Sequence, residues 1–474
     1  MTEIAEVDVL GTGECIEATG TAALIVELRA LMKLAGPLVV TQLAQMAIMT
    51  TDVVMLGRLG KEALAGAALG NTVFFFTWLI GLGPTVAISP MIAHILGASP
   101  NDRAGIRAVA RMGLWSVLLL SLPLALLLLF AKDLLLICAQ QPALAVAAGR
   151  FVLPLCLGLP FSLGYQVLRS YSTALGKPNA PLYVMAVTIA FNAIGDYGLI
   201  FGHFGLPRLE LIGAGTASAC SFTFSFLAMV VVVYAMPALR KYRIFRRFPR
   251  PHWSKFAELF RLGMPIGLTM IFEASLFNCA TLLMGTFGTA SVAAHQIALN
   301  VASITFMVPL GIAMAATVRV GLAAGAGDTM GVRRAGTSAL VVSVAFMSLC
   351  AVTIALFRFQ IAGLYFAHVA ANADAIALTA VFLQVAAAFQ VFDGTQVTAA
   401  LSLRGLKDAH MPMWIAGGCY WLVGFPTCYG LGVRLGWHGL GVWIGLAFAL
   451  FVAAISMCWR FNYLSREQQR PWQG

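Results

Sequence analysis

Six stretches of this chain, each 18 to 29 residues long, contain no Asp, Glu, Lys or Arg: Met112 to Ala131, Phe151 to Leu168, Leu211 to Leu239, Ala335 to Phe357, Ala409 to Val433 and Leu435 to Trp459. A helix of about 20 such residues, rising 1.5 Å per residue, crosses the ~30 Å hydrocarbon core of a bilayer. Two longer charge-free windows, Ala63 to Asn101 and Ala274 to Val318, divide with their flanks at the Gly-rich turns "GRLG" and "GTFGTAS". The division predicts twelve helices, centred near residues 45, 79, 118, 156, 188, 224, 272, 306, 346, 386, 421 and 449. At 60% hydrophobic and only 10% charged over 474 residues, the chain carries more apolar side chain than a soluble protein can hide. The alternating ten-residue segments of a membrane β-barrel are absent, so the expected fold is an all-α polytopic membrane protein.

The net charge of +11 raises the question of nucleic acid, and the placement of the basic residues answers it. With a cytoplasmic N-terminus, 23 of the 30 Lys and Arg fall on the inner side of the twelve spans. That is the positive-inside pattern for a chain with both ends in the cytoplasm, and it leaves no basic surface to assign to nucleic acid. Residues 1–28 hold six acids and no Lys or Arg, unlike a signal peptide, and read as a mobile N-terminal arm. A six-helix lobe follows at 29–239, then a basic cytoplasmic linker at 240–256 suited to contact anionic membrane lipid, a second lobe at 257–460 and a tail at 461–474. The nine cysteines are scattered singly inside apolar runs, without metal-ligand spacing.

The chain repeats itself. A shift of 228 residues brings Pro37 onto Pro265, Thr41 onto Thr269, Gly57 onto Gly285, Gly60 onto Gly288, Gly83 onto Gly311 and Gly97 onto Gly325 without a gap. Six helices separate equivalent positions, so both halves enter the membrane from the same side. The expectation is two pseudo-symmetric six-helix bundles, an arrangement in which transporters bind substrate between the halves near mid-bilayer.

Four acids fall at membrane depth in this division: Asp52, Asp196, Glu273 and Asp393. A carboxylate there costs at least about 2.5 kcal/mol, so it should face the interior and hold a cation or a proton. Arg319 is the one basic candidate nearby, and its place near the inner end of a helix suggests snorkelling or a gate contact more than pairing. Asp52 maps onto Ala280 and Glu273 onto Gln45 under the repeat, so each half has its own site: Asp52 with Asp196, and Glu273 with Asp393. Asn192 lies four residues before Asp196, on the same helix face.

These residues also carry a family resemblance. "GPLVVTQLAQMAIMTTDVVMLGRLG", "FEASLFNCATLLMGTFGTASVAAHQIALNVASITFMVPLGIAMAATVRVG" and "FQVFDGTQVTAALSLRGLKD" resemble multidrug and toxic compound extrusion (MATE) transporters, in particular the NorM-like bacterial branch. The resemblance covers nearly the whole chain after residue 30. It implies a multi-pass protein of the bacterial inner membrane that acts as a monomer. Such a protein exports cationic amphipathic organic compounds against inward H⁺ or Na⁺ by alternating access, without a cofactor. It further implies cation-coupling roles for Asp52, Asn192, Asp196, Glu273 and Asp393, adds Thr216 to the first site, and makes Pro37 a bending point of the first helix. Some Na⁺-linked members have a tyrosine one turn before the tenth-helix acid, where this chain has Phe389. His295 and Gln296 in "AAHQIALN" are read as packing and hydrogen-bonding residues, with proton relay by His295 as the alternative.

The nearest competing function is a lipid-linked oligosaccharide flippase of related architecture, which would line its cavity with basic rather than acidic residues. An intramembrane aspartyl protease would need GxGD, and "AIGDYG" lacks its first glycine. GxxxxGK[ST] is missing, so transport must run on an ion gradient rather than on ATP.

Overall fold

The computed structural model describes residues 21–246, 252–365 and 373–467, and among them every regular element is helical. Twelve long segments run in order: α1 Thr21–Gly57, α2 Lys61–Ala98, α3 Arg103–Leu129, α4 Pro142–Ala174, α5 Asn179–Phe201, α6 Glu210–Ala235, α7 Trp253–Thr286, α8 Thr289–Gly325, α9 Thr329–Gly363, α10 Ala373–Gly405, α11 and α12 His438–Glu467. Segment α11 is composite, passing from His410–Gly417 through a π-helical stretch Gly418–Gly424, a turn of α-helix Phe425–Tyr429 and a second π stretch Gly430–Arg434. Ten of the twelve are each long and apolar enough to cross a membrane. This is the all-α, twelve-helix membrane fold expected from the charge-free windows.

The repeat has a backbone cause at its turns. Gly60 and Gly288 cap α2 and α8 at φ 120° and 101°, a region side chains avoid, so both halves keep glycine at that corner. Asp102 and Asp328 then cap α3 and α9, each accepting a hydrogen bond from the glycine N–H three residues on (Gly105 and Gly331, 2.8 Å). Packing repeats as well. In the first half α4 packs against α2 and α6; in the second, α10 packs against α8 and α12. The C-terminal stretches of these central helices are buried on all sides, Ser162 through Ala174 in α4 and Gln396 through Gly405 in α10.

Contacts divide the chain differently from a cut at the linker. One compact unit is Val40–Gly267; the other comprises the described residues before and after it. The boundaries fall inside α1 and α7 at positions 228 apart, just past Pro37 and Pro265, which lie within those helices. Close backbone crossings explain this. In the first unit a Cβ on Gly83 would meet the Gly263 carbonyl oxygen at 2.2 Å; in the second, one on Gly311 would meet the Val39 nitrogen at 2.7 Å. Each crossing therefore needs glycine.

The same unit boundary corrects two expectations. Residues 1–20 of the N-terminal arm lie outside the described residues, but from Thr21 the chain is already helix α1. Glu27 on it is bound bidentately by Arg319 of α8, at 2.9 Å from Nε and 2.5 Å from Nη2, with both side chains about 95% buried. Arg319 is thus paired rather than snorkelling, because its carboxylate comes from a segment 292 residues away that local sequence cannot align with it. The linker start is docked too. Arg111 of α3 donates to the carbonyls of Ile244 (2.8 Å), Arg243 (3.2 Å) and Arg246, and the Tyr171 hydroxyl donates to Leu239 (2.8 Å). Residues 247–251 of the linker and 468–474 of the tail lie outside the described residues.

Candidate ion-coupling sites

In the Val40–Gly267 unit, α1 supplies Asp52, α5 supplies Asn192 and Asp196, and α6 supplies Ser218 to one cluster. Asn192 and Asp196 share a face of α5 and are buried at 1% and 0% exposure, while Asp52 is half-buried. The cluster is poor in closed hydrogen bonds. Asp52 Oδ1, both carboxylate oxygens of Asp196 and both amide atoms of Asn192 are buried without a hydrogen-bond partner. An unmet buried polar group costs about 1–3 kcal/mol, more when charged, so this arrangement is suited to receive a cation or proton rather than to stabilise the fold. The Thr216 hydroxyl donates to the Ile212 carbonyl on its own helix (2.8 Å), while Ser218, two residues on, meets Asp52. Further along α1, a cavity of about 210 Å³ is lined by Thr50, Thr51, Met55, Arg58, Tyr197 and Phe201.

The other unit brings Glu273 of α7 and Asp393 of α10 into electrostatic reach of each other, with Arg404 of α10 in reach of Glu273 and Tyr420 of α11 in reach of both acids. Asp393 is 6% exposed and its Oδ1 lacks a partner; Glu273 is half-buried. Phe389, one turn before Asp393, packs edge-on against Phe277 (5.9 Å) and Trp443 (5.5 Å). Gln390 accepts a hydrogen bond from Thr305 (2.8 Å). At the position that the repeat makes equivalent to Glu273, Gln45 accepts a hydrogen bond from the buried Arg169 of α4 (3.2 Å). The two halves thus set an arginine of their central helix against the same point of their first helix, with a neutral amide in one and an acid in the other.

His295 is fully buried, with Nε2 3.1 Å from the Thr281 hydroxyl and its ring edge-on to Trp443 at 5.5 Å. Thr281 is two helical turns beyond Glu273 on α7, so this contact holds His295 away from the acid pair. Gln296 is exposed and is brought to neither cluster. Among the described residues no group of three His, Cys, Asp or Glu could hold a metal ion. Sequence reasoning passed over Ser218, Arg404 and Tyr420. Arg404 stands at a helix end where basic residues snorkel, and Ser218 and Tyr420 sit in apolar runs, so only α10, α6 and α11 as packed bring them out.

The MatE family model matches the chain twice, at residues 37–198 and 265–430, so the two matches begin at Pro37 and Pro265, 228 residues apart. The chain is 44% identical over 447 residues to a protein of Mesorhizobium japonicum named probable multidrug resistance protein NorM, covering 94% of this chain and 95% of that one. To the protein of the same name from Rhizobium meliloti it is 41% identical, over 92% and 94% of the two chains. Among solved structures, it superposes on the eukaryotic MATE transporter AtDTX14 with a TM-score of 0.84 at 20% identity, covering 94% of this chain and 99% of the other. A MATE protein crystallised in a bent conformation superposes with a TM-score of 0.82 at 19% identity, over 98% and 99% of the two chains.

Proposed function

The chain belongs to the MatE family, and from that premise we propose that it is a secondary active multidrug efflux antiporter, exchanging H⁺ or Na⁺ for cationic amphipathic organic compounds by alternating access. It is a multi-pass membrane transporter rather than an enzyme. The observation that carries the antiport reading is a pair of carboxylates in each half, one buried and one half-buried, with Asp52 Oδ1, both Asp196 oxygens and Asp393 Oδ1 lacking a hydrogen-bond partner.

Two carboxylates sharing a low-dielectric site repel each other when both are ionised, and a proton, a sodium ion or an organic cation relieves that repulsion. Ligands that relieve the same repulsion compete, so ion and drug weaken each other's binding, which is the linkage antiport requires. Asp52, Asn192 and Asp196 hold the coupling cation in the first half, and Glu273 and Asp393 in the second. Pro37 and Pro265 each remove one backbone hydrogen bond from helices that belong to both compact units, which lets those helices bend as the units change state. The linker and both termini face the cytoplasm of a bacterial cell, and the protein acts as a monomer.

Inverted membrane vesicles loaded with a fluorescent organic cation test this directly, with pH and sodium gradients imposed separately. Uptake driven by at least one of the two gradients is expected. Uptake that responds to neither, or only to added ATP, overturns the antiport reading.

A further inference from the structure

Tyr420 lies in electrostatic reach of both second-half acids, and it is fully buried with its hydroxyl lacking a hydrogen-bond partner. It lies within the π stretch Gly418–Gly424, where i→i+5 bonding interrupts an otherwise α-helical run. Such interruptions cost backbone stability and recur at functional sites. Glycines on either side seat this stretch against the helix that carries Glu273. A Cβ on Gly417 would lie 3.2 Å from the Phe272 ring, and one on Gly424 would lie 2.7 Å from Ala449 of α12 and 3.2 Å from Leu276 of α7. Phe272 and Leu276 flank Glu273 on α7, so the stretch that carries Tyr420 packs against the segment of α7 that bears the acid. Tyr420 belongs to the same buried apolar cluster as Trp443, Phe389 and Leu276.

A donor kept unpartnered in an apolar core, on a stretch packed against a carboxylate-bearing helix, is placed to act when those carboxylates change state. We propose that Tyr420 is a positioning residue for the second acid pair: its hydroxyl donates to whichever of Glu273 and Asp393 is ionised, yields when a coupling ion occupies the pair, and passes that change to α11 through the π stretch. The proposal rests on the reading of Glu273 and Asp393 as a coupling pair. It adds the element that senses their occupancy, which lies on a helix contributing neither acid.

The test is Tyr420→Phe in the full-length protein reconstituted in liposomes. A purely structural hydroxyl predicts parallel changes in melting, drug binding and transport. The proposal predicts a split: an unchanged or higher melting temperature, because an unpartnered group is removed; affinity for a fluorescent organic cation without coupling ion within about twofold of wild type; and a fall of about tenfold or more in the maximum gradient-driven rate, the scale of one charge-assisted hydrogen bond. Wild-type maximum rates in Tyr420→Phe overturn it, as do equal losses in melting and binding. Glu273→Gln and Asp393→Asn are measured alongside. If these lose coupling while Tyr420→Phe does not, only the role of Tyr420 falls; if both acid variants couple as wild type, the coupling-pair reading falls and takes this proposal with it.

Discussion

The Glu27–Arg319 pair offers a stability test whose magnitude follows from its geometry. Two hydrogen bonds of 2.9 and 2.5 Å join side chains that are 5% and 4% exposed, so either group left alone loses its counter-charge in a medium that cannot solvate it. Removing one partner of a buried pair costs about 3–5 kcal/mol, whereas replacing both by apolar residues of similar volume is close to neutral. The two single variants are not equivalent. In Arg319→Met the remaining carboxyl can take a proton and become neutral, while in Glu27→Leu the remaining guanidinium stays charged. The repeat also supplies a precedent: Met91, at the position equivalent to Arg319, is buried at 1% exposure. The expected order of apparent melting temperature in detergent is wild type close to Glu27→Leu/Arg319→Met, then Arg319→Met, then Glu27→Leu. For a chain of this size the largest drop is roughly 3–5 °C. The double-mutant cycle should return a coupling of at least about 3 kcal/mol. Glu27→Leu melting with wild type, or the double variant melting below both singles, would refute the argument.

Three further outcomes are expected. Asp52→Asn keeps side-chain volume but removes a titratable charge, so gradient-driven efflux in vesicles should be lost while the purified protein keeps its melting temperature; wild-type rates would sink the role assigned to Asp52. Gly83→Ala and Gly311→Ala each push a methyl group into a crossing backbone and should destabilise by about 1–3 kcal/mol, seen as lower melting and folded yield, whereas Gly36→Ala meets nothing within 4 Å and serves as the control. A single cysteine at Lys255, half-exposed near the start of α7, should resist an impermeant maleimide in intact cells and react after permeabilisation. Labelling in intact cells would invert the topology.

The spans were readable because a charge in hydrocarbon is costly enough to empty whole windows of Asp, Glu, Lys and Arg. Gly60 and Gly288 were readable because only glycine takes their φ, and Asn192 could be joined to Asp196 because a spacing of four residues means one helix face. Other features depend on how helices are turned against one another, which leaves no local trace. Thr216 and Ser218 are both small hydroxyl residues in "GTASACS", and only the rotation of α6 brings Ser218 to Asp52. The start of α1 was missed because the order at Glu27 is supplied by Arg319, far along the chain. The π stretches of α11 carry no pattern that periodicity detects, and with them went Tyr420.

The boundary at Val39/Val40 and Gly267/Leu268 bears on ancestry and assembly. Each half, translated alone, would lack the opening turns of one helix from its own compact unit and would carry opening turns that belong to the other's. Two copies of a six-helix ancestor could satisfy both needs only by trading those turns, as domain-swapped dimers do. Fusing the copies through a basic tether turns the trade into an intramolecular event at high effective concentration. It also imposes an order on biosynthesis: Val40–Gly267 can be completed as soon as the first turns of α7 emerge, while the Glu27–Arg319 pair must wait for Arg319, synthesised nearly three hundred residues after Glu27.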